Sequence, residues 1–223
     1  MTRRIIQLLI GLVLYGAGCA LTIEAGLGVD PWTVFAQGIG VHTGLGIGWV
    51  TNIVGFFVLL LWIPLRQKPG FGTVANILIV GTSMQATLDL MPTPTGLGFQ
   101  VLTFALGLVS VAVASGIYIG AHFGPGPRDG LMTGIRSRFG VPIWVARASV
   151  ELTVLAIGWM LGGTVGLGTV AFAVLIGPLV HVAMPVFDTD PERTARQRAA
   201  RTTGVGGPEK ISVHETPAAP SPV

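Results

Sequence analysis

Arg147 and Glu151 stand four residues apart in an otherwise apolar run. Four residues is one helical turn, so the two side chains share a face and can pair. Glu151 lies nine residues past Pro142, about 13 Å along a helix and near mid-bilayer if the run spans a membrane. Ionisable groups at that depth are expensive and mark candidate sites. Two readings fit. Either the pair lines a polar pathway in which Glu151 binds a proton or cation, or the two charges neutralise each other and lock helices together. Arg128 and Asp129 follow Gly124-Pro125-Gly126-Pro127. There the free N–H groups of a helix start, with an arginine, could hold a carboxylate or phosphate. Asp129 also reads as an ordinary helix-start residue.

Glu24, Asp30 and Asp89 form a third group. They read either as an external vestibule that attracts cations or as charges marking span ends. Asn52 and Asn76 fall inside apolar runs, and Gln85 lies near the end of one. Such amides bond between helices at about 1 kcal/mol each, or contact a solute. His181 is isolated on an apolar helix and reads as structural. The four histidines show no metal-binding spacing. No nucleophile–base, Walker or dinucleotide signature occurs, so neither catalytic residue, metal nor cofactor is expected, and the chain does not read as an enzyme. The lone cysteine, Cys19, sits in an apolar run and reads as a packing residue.

The elements that hold these residues follow from composition. Hydrophobic residues make up 51% of the 223 and charged residues 10%, with a mean hydropathy of +0.73. A soluble domain carries about a quarter charged residues. Six apolar runs are long enough to cross a bilayer: 5–25, 47–65, 72–91, 98–122, 142–161 and 167–185. The first exceeds a signal-peptide core and reads as a retained helix. Two shorter segments, 31–44 and 127–140, each begin with proline, the favoured first residue of a helix. In each, two apolar residues four apart (Phe35 and Ile39; Leu131 and Ile135) share a face. Each predicts a short interfacial or re-entrant helix.

The net charge of +3 does not point to nucleic acid, because the basic residues occupy short loops and the ends. Arg3 and Arg4, Arg66 and Lys68, Arg128, Arg136 and Arg138, and Arg193 to Arg201 all fall on one side of a six-span chain. The positive-inside rule then places both termini in the cytoplasm. Residues 188–223 are rich in Ala, Pro, Thr and charge and predict a disordered cytoplasmic tail.

The chain also resembles itself at an offset of 96 residues. Gly28 falls on Gly124, Pro31 on Pro127, Gly44 on Gly140, Ile47 on Ile143, and Gly72-Thr73-Val74-Ala75 on Gly168-Thr169-Val170-Ala171. Roughly a quarter of positions match over about 70 residues without a gap, as a duplication predicts. The division is then 1–95, 96–187 and the tail. Three spans per half is odd, so the second half enters from the opposite side. The expected fold is all-α: six transmembrane helices as a 3+3 inverted repeat, with a short helix in each half. That architecture is typical of secondary transporters.

Ala25-Gly26-Leu27-Gly28-Val29-Asp30-Pro31-Trp32, Gly72-Thr73-Val74-Ala75-Asn76, Gly124-Pro125-Gly126-Pro127-Arg128-Asp129-Gly130 and Gly166-Leu167-Gly168-Thr169-Val170 resemble the YczE/YitT family of bacterial integral membrane proteins, the YczE branch above all. The resemblance covers nearly everything before the tail and implies a multi-span plasma-membrane protein. It brings no catalytic residues. The expected function is secondary transport of a small solute, with Glu151, Arg147, Arg128, Asn52, Asn76, Glu24 and Asp30 as binding candidates. The alternative is an accessory protein that supports a partner membrane enzyme. The expected partners are the lipid bilayer, the solute, and a second copy or another membrane protein.

Overall fold

The computed structural model describes residues 1–189. Among them are eight helices and no strand: α1 (Thr2–Glu24), α2 (Pro31–Thr43), α3 (Ile47–Leu60), α4 (Phe71–Leu90), α5 (Leu97–Gly120), α6 (Pro127–Phe139), α7 (Ile143–Met160) and α8 (Leu167–Phe187). Five of them, α1, α4, α5, α7 and α8, are long and apolar enough to cross a membrane. Large apolar side chains cover their outer faces, including Phe99, Leu152, Val174 and Val182, as hydrocarbon requires and water forbids.

The expected second span, 47–65, differs. Its helix, α3, stops at Leu60, after about 21 Å of rise, short of the roughly 30 Å of hydrocarbon. Pro64 cannot continue a helix. The chain turns instead, and Trp62 inserts beneath α6, buried at 2% exposure and donating from Nε1 to Pro127 O at 3.0 Å. α2 and α3 together pass as one span bent by 112°, so the count is five, or six with the bent pair.

The short helices form where proline and glycine punctuate the sequence. α2 has Pro31 and α6 has Pro127 at the first position. Each ends on a glycine in the left-handed region, Gly44 at φ 71° and Gly140 at φ 70°, a conformation that costs glycine nothing. The two helices share both bounds at the 96-residue offset, and α3 with α7 and α4 with α8 share their starts. The caps agree too. Thr73 accepts from Gly70 N and Thr169 from Gly166 N, both at 3.2 Å. Gly72 N donates to Phe123 O at 3.0 Å, and Gly168 N donates to Leu27 O at 2.7 Å. Each of these last bonds joins the start of a helix in one half of the sequence to a loop in the other.

α1 and α5 form the centre. Gly11 of α1 lies against Tyr118, Gly18 against Val111, and Thr22 against Gly107, so the helices run antiparallel, with small residues at the crossing. Leu8, Leu12, Cys19 and Ala20 of α1 are buried there with Leu108 and Val111 of α5, and Cys19 packs as expected. α4 lies along α1, α8 along α5, α3 on α4 and α2 on α7. Asp188 and Thr189, at the head of the expected tail, are held to the end of α5. Asp188 Oδ1 is 2.7 Å from His122 Nε2, and Thr189 N donates to Gly120 O at 3.2 Å. The rest of that tail lies outside the described residues.

Candidate functional site

The first turns of α2 and α6 meet inside the protein. Asp30 caps α2: its Oδ1 accepts from Trp32 N at 3.1 Å and Thr33 N at 3.3 Å, and its Oδ2 accepts from the Thr33 hydroxyl. These bonds satisfy donors that a helix start otherwise leaves open. Arg128 comes from the second position of α6. Its Nη1 lies 3.4 Å from Asp30 Oδ1, and its guanidinium stacks 5.1 Å from the centre of the Trp32 ring. Charge attraction and cation–π contact hold it there together. At the 96-residue offset Trp32 and Arg128 are counterparts, so the matching positions of the two short helices touch.

Charge placement along the sequence assigns Asp30 to the outer side and Arg128 to the inner side. The structure corrects that separation. Each short helix starts in the interior and runs outward, so residues 98 apart become an ion pair. Asp30 therefore does not belong with Asp89, which accepts from Gln85 at 2.8 Å on α4.

The pair lines a cavity of about 550 Å³. Asn76, Arg147 and Glu151 line it as well, so five of the seven sequence candidates converge. Arg147 Nε and Glu151 Oε1 are 2.9 Å apart, with 56% and 29% of their side chains exposed; the pair is open rather than sealed between helices. Asn52 and Glu24 stand apart. Asn52 donates to Thr82 Oγ1 at 3.1 Å across α3 and α4, the interhelical role weighed for it above. Glu24 keeps a buried Oε2 with no hydrogen-bond partner among the described residues.

Trp32, Tyr118, Asp129 and His181, which are not among the seven candidates, also stand in the cavity wall. The Tyr118 hydroxyl donates to Asp129 Oδ2 at 3.2 Å. Asp129 is exposed at the cavity wall. Trp32 is 6% exposed, and its Nε1–H has no acceptor among the described residues. The offset itself held the signal for Trp32, since it aligns that residue with Arg128.

Two short-helix starts, two guanidinium groups and three carboxylates thus surround one cavity. The wall offers donors and acceptors of both signs. It can bind a polar solute by exchanging partners in the Arg128–Asp30 and Arg147–Glu151 pairs.

Residues 2–185 match a family of unknown function, DUF6198. The chain belongs to this family. It is 40% identical over 174 residues to an uncharacterized protein of Haemophilus influenzae, covering 78% of this chain and 80% of the relative. It is 31% identical over 177 residues to the uncharacterized membrane protein YczE of Bacillus subtilis, covering 78% and 82%. The resemblance to the YczE branch is thereby established, and with it a membrane protein. No solved structure matches the chain.

Proposed function

We propose that this protein is a secondary transporter of a small polar solute, with the Arg128–Asp30 pair at the centre of its binding site. One observation carries the reading: the first turns of α2 and α6 meet at that pair in the wall of an internal cavity. The α6 start has no side-chain cap and supplies N–H groups and a favourable field for a charged solute, a device found where transporters break their helices.

The two sequence halves are read as an inverted repeat with α2 and α6 re-entrant. Two features support this. The starts of α2, α3 and α4 recur 96 residues later in α6, α7 and α8, and the matching helices α1 and α5 run antiparallel, as inversion demands. Alternating access then follows from rocking one half against the other about the Arg128–Asp30 contact. The protein sits in the bacterial plasma membrane with its amino terminus in the cytoplasm, as the basic loops direct.

The test compares solutes in cells and medium for a deletion strain carrying wild type, Arg128→Ala or Asp30→Asn. One solute should redistribute with wild type and not with either variant. Unchanged distribution for every solute, with wild type in the membrane, overturns transport. Wild-type redistribution by both variants overturns the site.

A further inference from the structure

α3 and α4 close on one another through a tight seam. Gly48 and Gly81 meet backbone to backbone, so a Cβ on either would overlap the other's carbonyl oxygen. Gln85 Oε1 accepts from Gly48 N at 3.1 Å, and Asn52 bonds Thr82. The counterparts 96 residues on cannot repeat this. Gly48 becomes Trp144, Asn52 becomes Ala148, Thr82 becomes Pro178 and Gln85 becomes His181. Accordingly α7 and α8 form no packed seam; α7 packs on α2 instead, and α8 on α5. Gly177, the counterpart of Gly81, would meet nothing within 4 Å if it gained a Cβ.

The opening leads into the cavity, because both helices line it: Arg147 and Glu151 from α7, and Ile176, Gly177, Val180 and His181 from α8. Both helices are long and apolar enough to span a membrane, so the gap faces hydrocarbon. A half-open ion pair beside hydrocarbon is costly unless a polar partner joins it. A group of one sign would be drawn to Arg147 or Glu151 and repelled by the other. A zwitterion satisfies both, and the second pair, Arg128–Asp30, repeats the choice deeper in. The gap itself is walled by Ile176, Gly177 and Val180, which suit a chain of methylenes.

We infer that the gap between α7 and α8 is a side entrance for a zwitterionic amphiphile from the bilayer. Its head docks among Arg147, Glu151 and the Arg128–Asp30 pair, and its apolar tail lies between α7 and α8. This deepens the transport reading and rests on it for the cavity as the binding site.

The test uses the full chain in nanodiscs of phosphatidylglycerol, so that the matrix carries no zwitterion. The probe is a lysophosphocholine with a photoactivatable group on its tail. Adducts should fall on α7 and α8 and be displaced by plain lysophosphocholine, not by lysophosphatidylglycerol of the same tail. Filling the gap with Gly177→Leu should cut labelling about 10-fold, the loss of a few buried methylenes, with the melting temperature unchanged. If that variant melts early, Val180→Trp takes its place. Adducts spread evenly over all lipid-facing helices, full labelling in the filled variant, or a second copy crosslinked across the gap would each overturn the entrance. A binding assay with free phosphocholine separates the two readings. If the free head binds as tightly as the tailed probe, the cavity stands as a site and the side entrance falls. If neither binds and Arg128→Ala changes nothing, both fall.

Discussion

Asp30→Ala tests whether α2 begins inside the protein. The carboxylate performs two tasks, capping α2 through Trp32 N, Thr33 N and the Thr33 hydroxyl, and pairing with Arg128. Loss of an N-cap costs about 1 kcal/mol, and as much as roughly 2 where the freed donors stay buried. Asp30 is only 5% exposed, so the upper figure applies. The Arg128 contact is long at 3.4 Å and that side chain is 23% exposed, so its loss adds about 1 kcal/mol after solvent screening. The sum is about 3 kcal/mol. Asp30→Asn keeps an oxygen for the two backbone donors, removes the charge and replaces the second oxygen with an NH2 that can donate to the Thr33 hydroxyl, so it should cost about 1 kcal/mol. Arg128→Met removes the pair and the Trp32 stack and should cost about 1 to 2 kcal/mol. The assay is reversible unfolding of the purified protein in mixed micelles, followed by helical circular dichroism. The expected order is Ala worst, then Met, then Asn. An alanine variant as stable as wild type would refute the buried start of α2. An asparagine variant as damaged as alanine would show that charge, not capping, dominates.

Other expectations follow from the same packing. Gly130→Leu would drive a side chain into the Trp62 indole and should lower stability by about 2 kcal/mol or more; Trp62→Phe, which loses the bond to Pro127 O and part of the ring packed on Gly130, should cost about 2 kcal/mol, both read by the same unfolding assay. Val41 and Phe139, at the outward ends of α2 and α6, are 68% and 69% exposed. As single cysteines they should react with an impermeant maleimide from opposite sides of sealed vesicles, and labelling from one side would remove the inverted repeat. Cys19, 2% exposed, should stay unlabelled in the folded protein and react only after unfolding. The double variant Arg147→Gln, Glu151→Gln should change stability by about 1 kcal/mol or less, because the pair is open, while solute redistribution is lost.

Much of the fold was legible because its signals are local. Proline at Pro31 and Pro127 and glycine at Gly44 and Gly140 bracket α2 and α6, since each fixes its own backbone angles whatever lies nearby. Apolar length marked the five long helices, because hydrocarbon thickness sets a minimum on any spanning segment. The exception was α3, where length alone overlooked Pro64 and the inward turn of Trp62. The membrane class, the candidate residues Asp30, Asn76, Arg128, Arg147 and Glu151, and the 96-residue echo all came from residue type and spacing. Their meeting did not. Charge along a chain assigns sides by counting crossings, and that count treats 26–30 and 121–126 as surface loops. Folding brought the helix starts after both loops together, where Asp30 and the Trp32 ring give Arg128 a partner and a platform. The open seam of α7 and α8 was likewise decided by packing: Trp144 and Ala148 stand where glycine and asparagine close its counterpart, so α7 found its close contacts on α2. Local chemistry fixed where helices begin and end. Which of them touch depended on shape matched between residues nearly a hundred positions apart, and only the assembled structure holds that information.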